Sequence, residues 1–238
     1  MHKNVFVLGA SGDIGRAICK QLKDENYSLI LHYNKSRESI ETLVEALGEE
    51  SVLQVVQADL TNTEDVHRMC QEVMYPVYAI IYVSGAAHYG LFQDTSEEIM
   101  DQMLMLHVKS PWLVTQHFLP EMIHEQRGKI IFITSIWGNI GASHEVIYSS
   151  VKGAQNSFVK ALAKEVGPSG VSVNGVSPGF IDTKMNRHLL RDEKESIISE
   201  IPVHRAGLAT DVAHTVCFLM DEKSNYIQGE IVKLTGGW

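Results

Sequence analysis

The feature that most constrains this chain is its rhythm. Short apolar runs alternate with longer amphipathic stretches from one end to the other. Residues 5–8, 29–33, 52–56, 78–83, 130–134 and 171–176 are β-branched or otherwise apolar and bounded by polar residues or glycine, and 231–234 adds a last run. Helical spacing of apolar residues fills 14–25, 39–47, 64–73, 99–125, 148–166 and 211–220. Strands that are apolar throughout belong in a parallel sheet covered on both faces. The expectation is one α/β domain over 1–238: a doubly wound, Rossmann-type parallel sheet of about seven strands with helices on both faces and right-handed crossovers. Ligands of such sheets bind beyond the carboxyl ends of the strands, so the turns after the strands carry the functional reading.

Composition narrows the classes. A chain of 238 residues holds one good core, and no Pro/Gly/Ser-rich linker or repeat divides it. A net charge of −9 argues against nucleic acid as the main ligand. The three cysteines, Cys19, Cys70 and Cys217, are widely spaced, as expected of reduced thiols in a cytoplasmic protein. The eleven histidines form no HxH or HExxH arrangement, so no metal site is expected. No signal-peptide layout or membrane-length apolar run is apparent, so no membrane association is expected.

The first strand ends in GASGDIG, and a helix follows at once. Backbone N–H groups at a helix N-terminus suit a pyrophosphate. Gly9 would permit the tight turn, Gly12 the close approach and Gly15 the helix–strand packing, with Ser11, Asp13 and Ile14 between them. The second strand runs into LHYNKSR, with no carboxylate before Glu38. A carboxylate there would favour NAD, whereas basic residues tolerate a 2′-phosphate. Asn34, Lys35, Ser36 and Arg37 are therefore the candidate ribose site, and NADP(H) is favoured over NAD(H), unless Lys35 and Arg37 are merely solvated residues at a helix start. Asp59 and Leu60 follow the third strand. Asp59 is open to two readings: an acceptor for the adenine amino group, or a cap for the next helix.

The chemistry gathers in GKIIFITSIWGNIGASHEVIYSSVK, residues 128–152. Ser135 lies just past a strand, and Tyr148 and Lys152 sit one helical turn apart on one face. An ammonium beside a phenol favours the phenolate and lowers the Tyr pKa toward a useful range. Ser135 would hold a carbonyl oxygen, Tyr148 would give it a proton, and Lys152 would fix the cofactor's ribose and feed protons from solvent.

Taken with Asp59, the run VSVNGVSPGFIDTKM and the terminal YIQGEIVKLTGGW, these motifs resemble the short-chain dehydrogenase/reductase family over essentially the whole chain. The best match is its 3-oxoacyl-(acyl-carrier-protein) reductase branch. The resemblance implies that Pro178 and Gly179 wall the nicotinamide, that the Ile181 backbone bonds its carboxamide and that Thr183 reaches the pyrophosphate. It further implies that Asn174 supports a loop, that the residues after Thr183 form a lid, and that 201–219 lies in the interface of a homotetramer.

Three departures from the family pattern stand out. Glycine at 12 and Asp13 after it replace the usual turn, with no arginine at position 12. Tyr82-Val83-Ser84-Gly85 replaces NNAG, although Ser84 and Gly85 keep their place at the cofactor wall. His107 stands where the family's tetrad asparagine helps hold a water linking Lys to solvent. His107 is either a proton relay, since imidazole titrates near neutrality, or a packed helix residue. The leading function is NADPH-dependent reduction of a 3-oxoacyl thioester. One alternative is a reductase of an aminopentanone group on a bacterial translation elongation factor, to which the departures at 82–85 and in LHYNKS also bear a resemblance. The other is a non-catalytic dinucleotide sensor on the same fold.

Overall fold

The computed structural model describes residues 3–186 and 189–238. In chain order its elements are β1 (Asn4–Leu8), α1 (Asp13–Asp24), β2 (Ser28–Tyr33), α2 (Arg37–Leu47), β3 (Val52–Gln57), α3 (Thr63–Glu72) and β4 (Ala79–Tyr82). There follow α4 (Glu97–Leu104), a π-helical turn (Met105–Lys109), α5 (Ser110–His124), β5 (Gly128–Ile133), α6 (Trp137–Ile140) and α7 (Val146–Val166). The chain ends with β6 (Val171–Pro178), α8 (Arg191–Glu200), α9 (Ala209–Met220) and β7 (Ile231–Leu234). The seven strands form one sheet in the order β3-β2-β1-β4-β5-β6-β7, and every pairing is parallel.

Alternation along each strand builds two cores. Val5, Val7, Leu29 and Leu31 face the layer of α1, α2 and α9, where Ile18, Leu43 and Val216 meet them. Phe6, Leu8, Ile30 and Tyr82 face the opposite layer, packed on Val66, Val114, Phe118 and Val159 of α3, α5 and α7. Both faces are therefore dry, which is why the strands read as unbroken apolar runs. Strand order reverses between β1 and β4. That switch point opens a crevice above the carboxyl ends of the strands.

The helix expected over 99–125 is interrupted. Apolar spacing continues through it, but Pro111 has no N–H to offer the carbonyl four residues back, at His107, and its ring would crowd that carbonyl. The chain resolves this with the π-helical turn: the Ser110 N–H bonds the Met105 carbonyl instead of the one at Leu106. The short α6 and the polar α8 carry too little apolar periodicity to stand out in the sequence. None of the helices among the described residues is long and apolar enough to cross a membrane.

Candidate active site

The turn after β1 begins the site. Gly9 holds a φ of +90°, and a Cβ there would sit 2.7 Å from the Ser84 nitrogen, because the chain leaving β4 crosses directly over it. The turn after β2 is tied to this one from below. His32 Nδ1 accepts from the Gly9 N–H at 3.1 Å, and its Nε2 lies 3.0 Å from the Ala58 carbonyl. Burial lowers the His32 pKa to about 4, so the ring is neutral and clamps the turns after β1 and β3 to β2.

Above these turns lies a cleft of about 700 Å³. Gly9, Ser11, Gly12, Asp13, Ile14 and Gly15 line it from the first turn, and Asn34 and Ser36 from the second. Asp59 and Leu60 enter from the third, Ser84 and Gly85 from the fourth, and Thr183 from the loop after β6. Lys35, Arg37, Tyr148, Lys152, Pro178, Gly179 and Ile181 do not line it. Arg37 turns along its own helix, where Nε donates to Glu41 at 2.8 Å, and Lys35 is exposed. The Pro178 carbonyl accepts from Ile136 N at 3.1 Å, Gly179 N donates to Leu234 O at 2.9 Å, and the Ile181 carbonyl accepts from Asn186 Nδ2 at 2.7 Å. Asp59 does not cap α3, which Asn62 does by accepting from the Glu64 and Asp65 N–H groups. Asp59 instead closes the preceding turn, with Oδ1 accepting from Thr61 N and Oγ1 at 2.9 and 2.7 Å.

Two polar residues at the α2 end of the cleft escaped the sequence reading. Ser39 lines the cleft and donates to the Ser11 carbonyl at 2.9 Å, and Arg16 NH1 donates to Ser39 Oγ at 3.0 Å. Only the fold brings α1 and α2 together here, so no local pattern announced Arg16. On the far side, Asp13 Oδ2 accepts from the Lys184 N–H at 2.6 Å, tying the loop after β6 to the glycine turn. In the segment expected to form a lid, Arg187 and His188 lie outside the described residues. Asn174 does support a loop: Nδ2 donates to Ile227 O at 2.8 Å and Oδ1 accepts from Glu230 N at 2.9 Å.

The reacting groups meet beside this cleft. Ser135 follows β5 and is 7% exposed; its Oγ accepts from the Trp137 N–H at 3.2 Å and stands near enough to the Tyr148 hydroxyl to stabilise its ionised form. Lys152 is buried, with Nζ 2.9 Å from the Ile133 carbonyl, 3.1 Å from Gln155 Oε1 and 5.7 Å from the centre of the Tyr148 ring. Burial pushes the Tyr148 phenol up to about 12, the Ser135 hydrogen bond only partly opposing it. The expectation that the ammonium draws the phenol down is corrected: desolvation raises it, the Glu145 charge adds to the rise, and Ser135 is what opposes it. Burial also brings Lys152 down to about 7. At neutral pH the phenol holds its proton, and the amine exchanges one readily.

His107 is fully buried on the π-helical turn, its ring edge-on to Tyr148 with centroids 5.8 Å apart. Nε2 lies 2.9 Å from the Ala86 carbonyl and 3.3 Å from the Ala86 nitrogen. One nitrogen cannot serve both, and the shorter contact assigns the hydrogen to Nε2, which donates to the carbonyl. Nδ1 is then a bare, buried acceptor without a partner among the described residues. Burial, helped by the Lys152 charge, lowers the ring to about 3. The expectation of a relay titrating near neutrality is corrected accordingly.

A parallel sheet with a glycine turn at its switch point and a Ser–Tyr–Lys cluster beside it defines a dinucleotide-dependent oxidoreductase. The family model described as enoyl-(acyl carrier protein) reductase matches residues 9–238. The oxidoreductase YmfI of Bacillus subtilis is 41% identical over 240 residues, covering 100% of this chain and 99% of its own. The 3-oxoacyl-[acyl-carrier-protein] reductase FabG of Staphylococcus epidermidis is 33% identical over 243 residues, covering 100% and 99%. Among solved structures, YwfH, an NADPH-dependent reductase involved in bacilysin biosynthesis, superposes with a TM-score of 0.92 at 23% identity, covering 100% of this chain and 98% of its own. At that identity the likeness speaks for the fold. The chain belongs to the short-chain dehydrogenase/reductase family and is a short-chain oxidoreductase.

Proposed function

We propose that the chain reduces the carbonyl of a 3-oxoacyl thioester, carried by acyl carrier protein or CoA, to the alcohol, with NADPH preferred over NADH. The observation that carries this reading is the grouping of Ser135, a protonated Tyr148 and a buried Lys152, joined to the glycine-turn cleft through His107, whose ring packs on both Tyr148 and Gly85. The residues present fit a dinucleotide, since the backbone at Gly9 and the crossing chain at Ser84 leave the turn bare of side chains. When bound, the nicotinamide supplies the hydride. The Ser135 hydroxyl donates a hydrogen bond to the substrate carbonyl oxygen, tightening as negative charge grows there. Tyr148 gives its phenolic proton to that oxygen, and Lys152 returns one to the phenolate. An ammonium has three N–H donors, and Ile133 and Gln155 take two, so the third is left for ribose hydroxyls.

The NADPH preference rests on the absence of a carboxylate at the end of β2 and on Arg16, which does not itself line the cleft but donates to Ser39, which does. Arg37, spent on Glu41, is the weaker candidate for a 2′-phosphate. With acetoacetyl-CoA as substrate, NADPH oxidation is expected and NADH should bind more weakly. Arg16→Ala is expected to weaken NADPH by about 10- to 100-fold, the worth of a hydrogen bond to a charged group, and to spare NADH. Equal wild-type affinities for the two cofactors would contradict the preference. Lost discrimination in Arg37→Ala but not in Arg16→Ala would move the 2′-phosphate to Arg37.

A second substrate reading rests on the altered wall at Tyr82–Gly85 and the LHYNKS segment: an aminopentanone group on a bacterial translation elongation factor. NADPH oxidation with that modified protein, set against acetoacetyl-CoA, separates the two. We also propose a cytoplasmic homotetramer. Val203, Leu208 and Phe218, all within 201–219, are 55%, 50% and 56% exposed, and light scattering should find a tetramer that covers them.

A further inference from the structure

Gln155 lies on α7 three residues past Lys152, on the same helical face, and is 2% exposed. Its Oε1 accepts from Lys152 Nζ at 3.1 Å, and its Nε2 donates to the His107 carbonyl at 2.8 Å. Chemistry fixes the orientation of the amide. An ammonium only donates and a carbonyl only accepts, so one way round satisfies both. The His107 carbonyl is within reach because Pro111 offers it no N–H and the chain turns there in a π-helical geometry.

We propose that Gln155 is a positioning residue of this site: it clamps the Lys152 ammonium against the Ile133 carbonyl and anchors that clamp on the His107 carbonyl of the π-helical turn. The inference rests on the reading of Lys152 as a reacting group. An amide suits the task where a carboxylate would not. A carboxylate at this distance would hold the ammonium charged at every working pH, whereas a neutral acceptor steadies it and leaves it free to exchange protons. The other groups facing Nζ are few. Tyr148 shares its helix, with Glu145 acting on that phenol; β5 contributes the Ile133 carbonyl and, beyond its end, Ser135; and the π-helical turn contributes the neutral His107 ring.

The primary readout of the test needs no substrate. In ¹³Cε-lysine NMR of the protein without cofactor, the Lys152 signal is assigned by its loss in Lys152→Met and titrated. Gln155→Met, nearly equal in volume, removes the acceptor, and Lys152 should then titrate about one pH unit lower, the worth of a hydrogen bond to a charged group. Gln155→Glu keeps an acceptor facing Nζ and should bring the titration back to the wild-type value or above. The lower limb of the kcat/KM profile should move with the signal in both variants. An unchanged Lys152 titration in Gln155→Met, with only thermal stability lowered, would overturn the proposal. So would a Gln155→Glu value below wild type, which decides the matter even if the Met variant does not fold. Full turnover in Tyr148→Phe would remove the Ser–Tyr–Lys reading while leaving this titration intact.

Discussion

His107 and Gly85 show how one departure at the residue scale is fitted to a retained glycine. A Cβ at Gly85 would lie 2.8 Å from His107 Cε1, so the imidazole fits only against a bare backbone. Gly85→Ala is therefore expected to cost about 1–3 kcal/mol through overpacking, and almost nothing where His107→Asn has already shortened the facing side chain. Urea denaturation of the two single variants and the double variant measures this, and additive costs would contradict it. Sequence reading could propose Ser135, Tyr148 and Lys152 together because one strand end and one helical turn suffice to relate them. It did not pick out Arg16, His32 and Gln155, each anchored by a contact 23, 26 or 48 residues away, although Gln155 also meets Lys152 one helical turn back. It placed Lys35 and Arg37 at the ribose end by position alone, which says nothing about which way a long side chain turns, and Arg37 turns toward Glu41.

At the scale of elements, the π-helical turn holds the site. It leaves the Leu106 carbonyl to the Tyr82 hydroxyl, 2.9 Å away, while Tyr82 also lies 3.0 Å from Ser110 Oγ. Tyr82 stands in place of the family's first asparagine, and it joins the end of β4 to the start of α5. Tyr82→Phe keeps the stacking on Phe132 and leaves a buried carbonyl without that donor, at an expected cost of about 1–3 kcal/mol. The loss should fall on α4–α5, read as faster hydrogen exchange there than elsewhere in the chain. Strands and long helices were legible because both cores impose their period on the sequence. The break at 105–109 was not, since apolar spacing runs through it and only Pro111 marked it.

At the scale of the whole molecule, buried bases set the response to pH. His32 and His107 have folded pKa values of about 4 and about 3, below an ordinary value near 6.5. The unfolded chain therefore binds more protons between those limits, and stability is intact above about pH 6.5 and falls as pH drops toward 4 and 3. Each ring contributes at most about 1.4 kcal/mol per pH unit. Lys152, at about 7, adds stability as pH rises from 7 toward the ordinary lysine value. Tyr148 and Tyr27, both pushed to about 12, withdraw it above about pH 10, where the unfolded phenols would ionise first. Denaturation midpoints across pH 4–11 should thus peak on the mildly alkaline side, and a maximum below pH 6 would contradict these burials. The central claim is the proton donor, and the direct measurement is turnover of Tyr148→Phe with NADPH and acetoacetyl-CoA. The ring stays and one oxygen goes, so folding and NADPH affinity should hold while kcat falls by about 10² or more. A variant that keeps near wild-type kcat on a substrate the wild type reduces would contradict it.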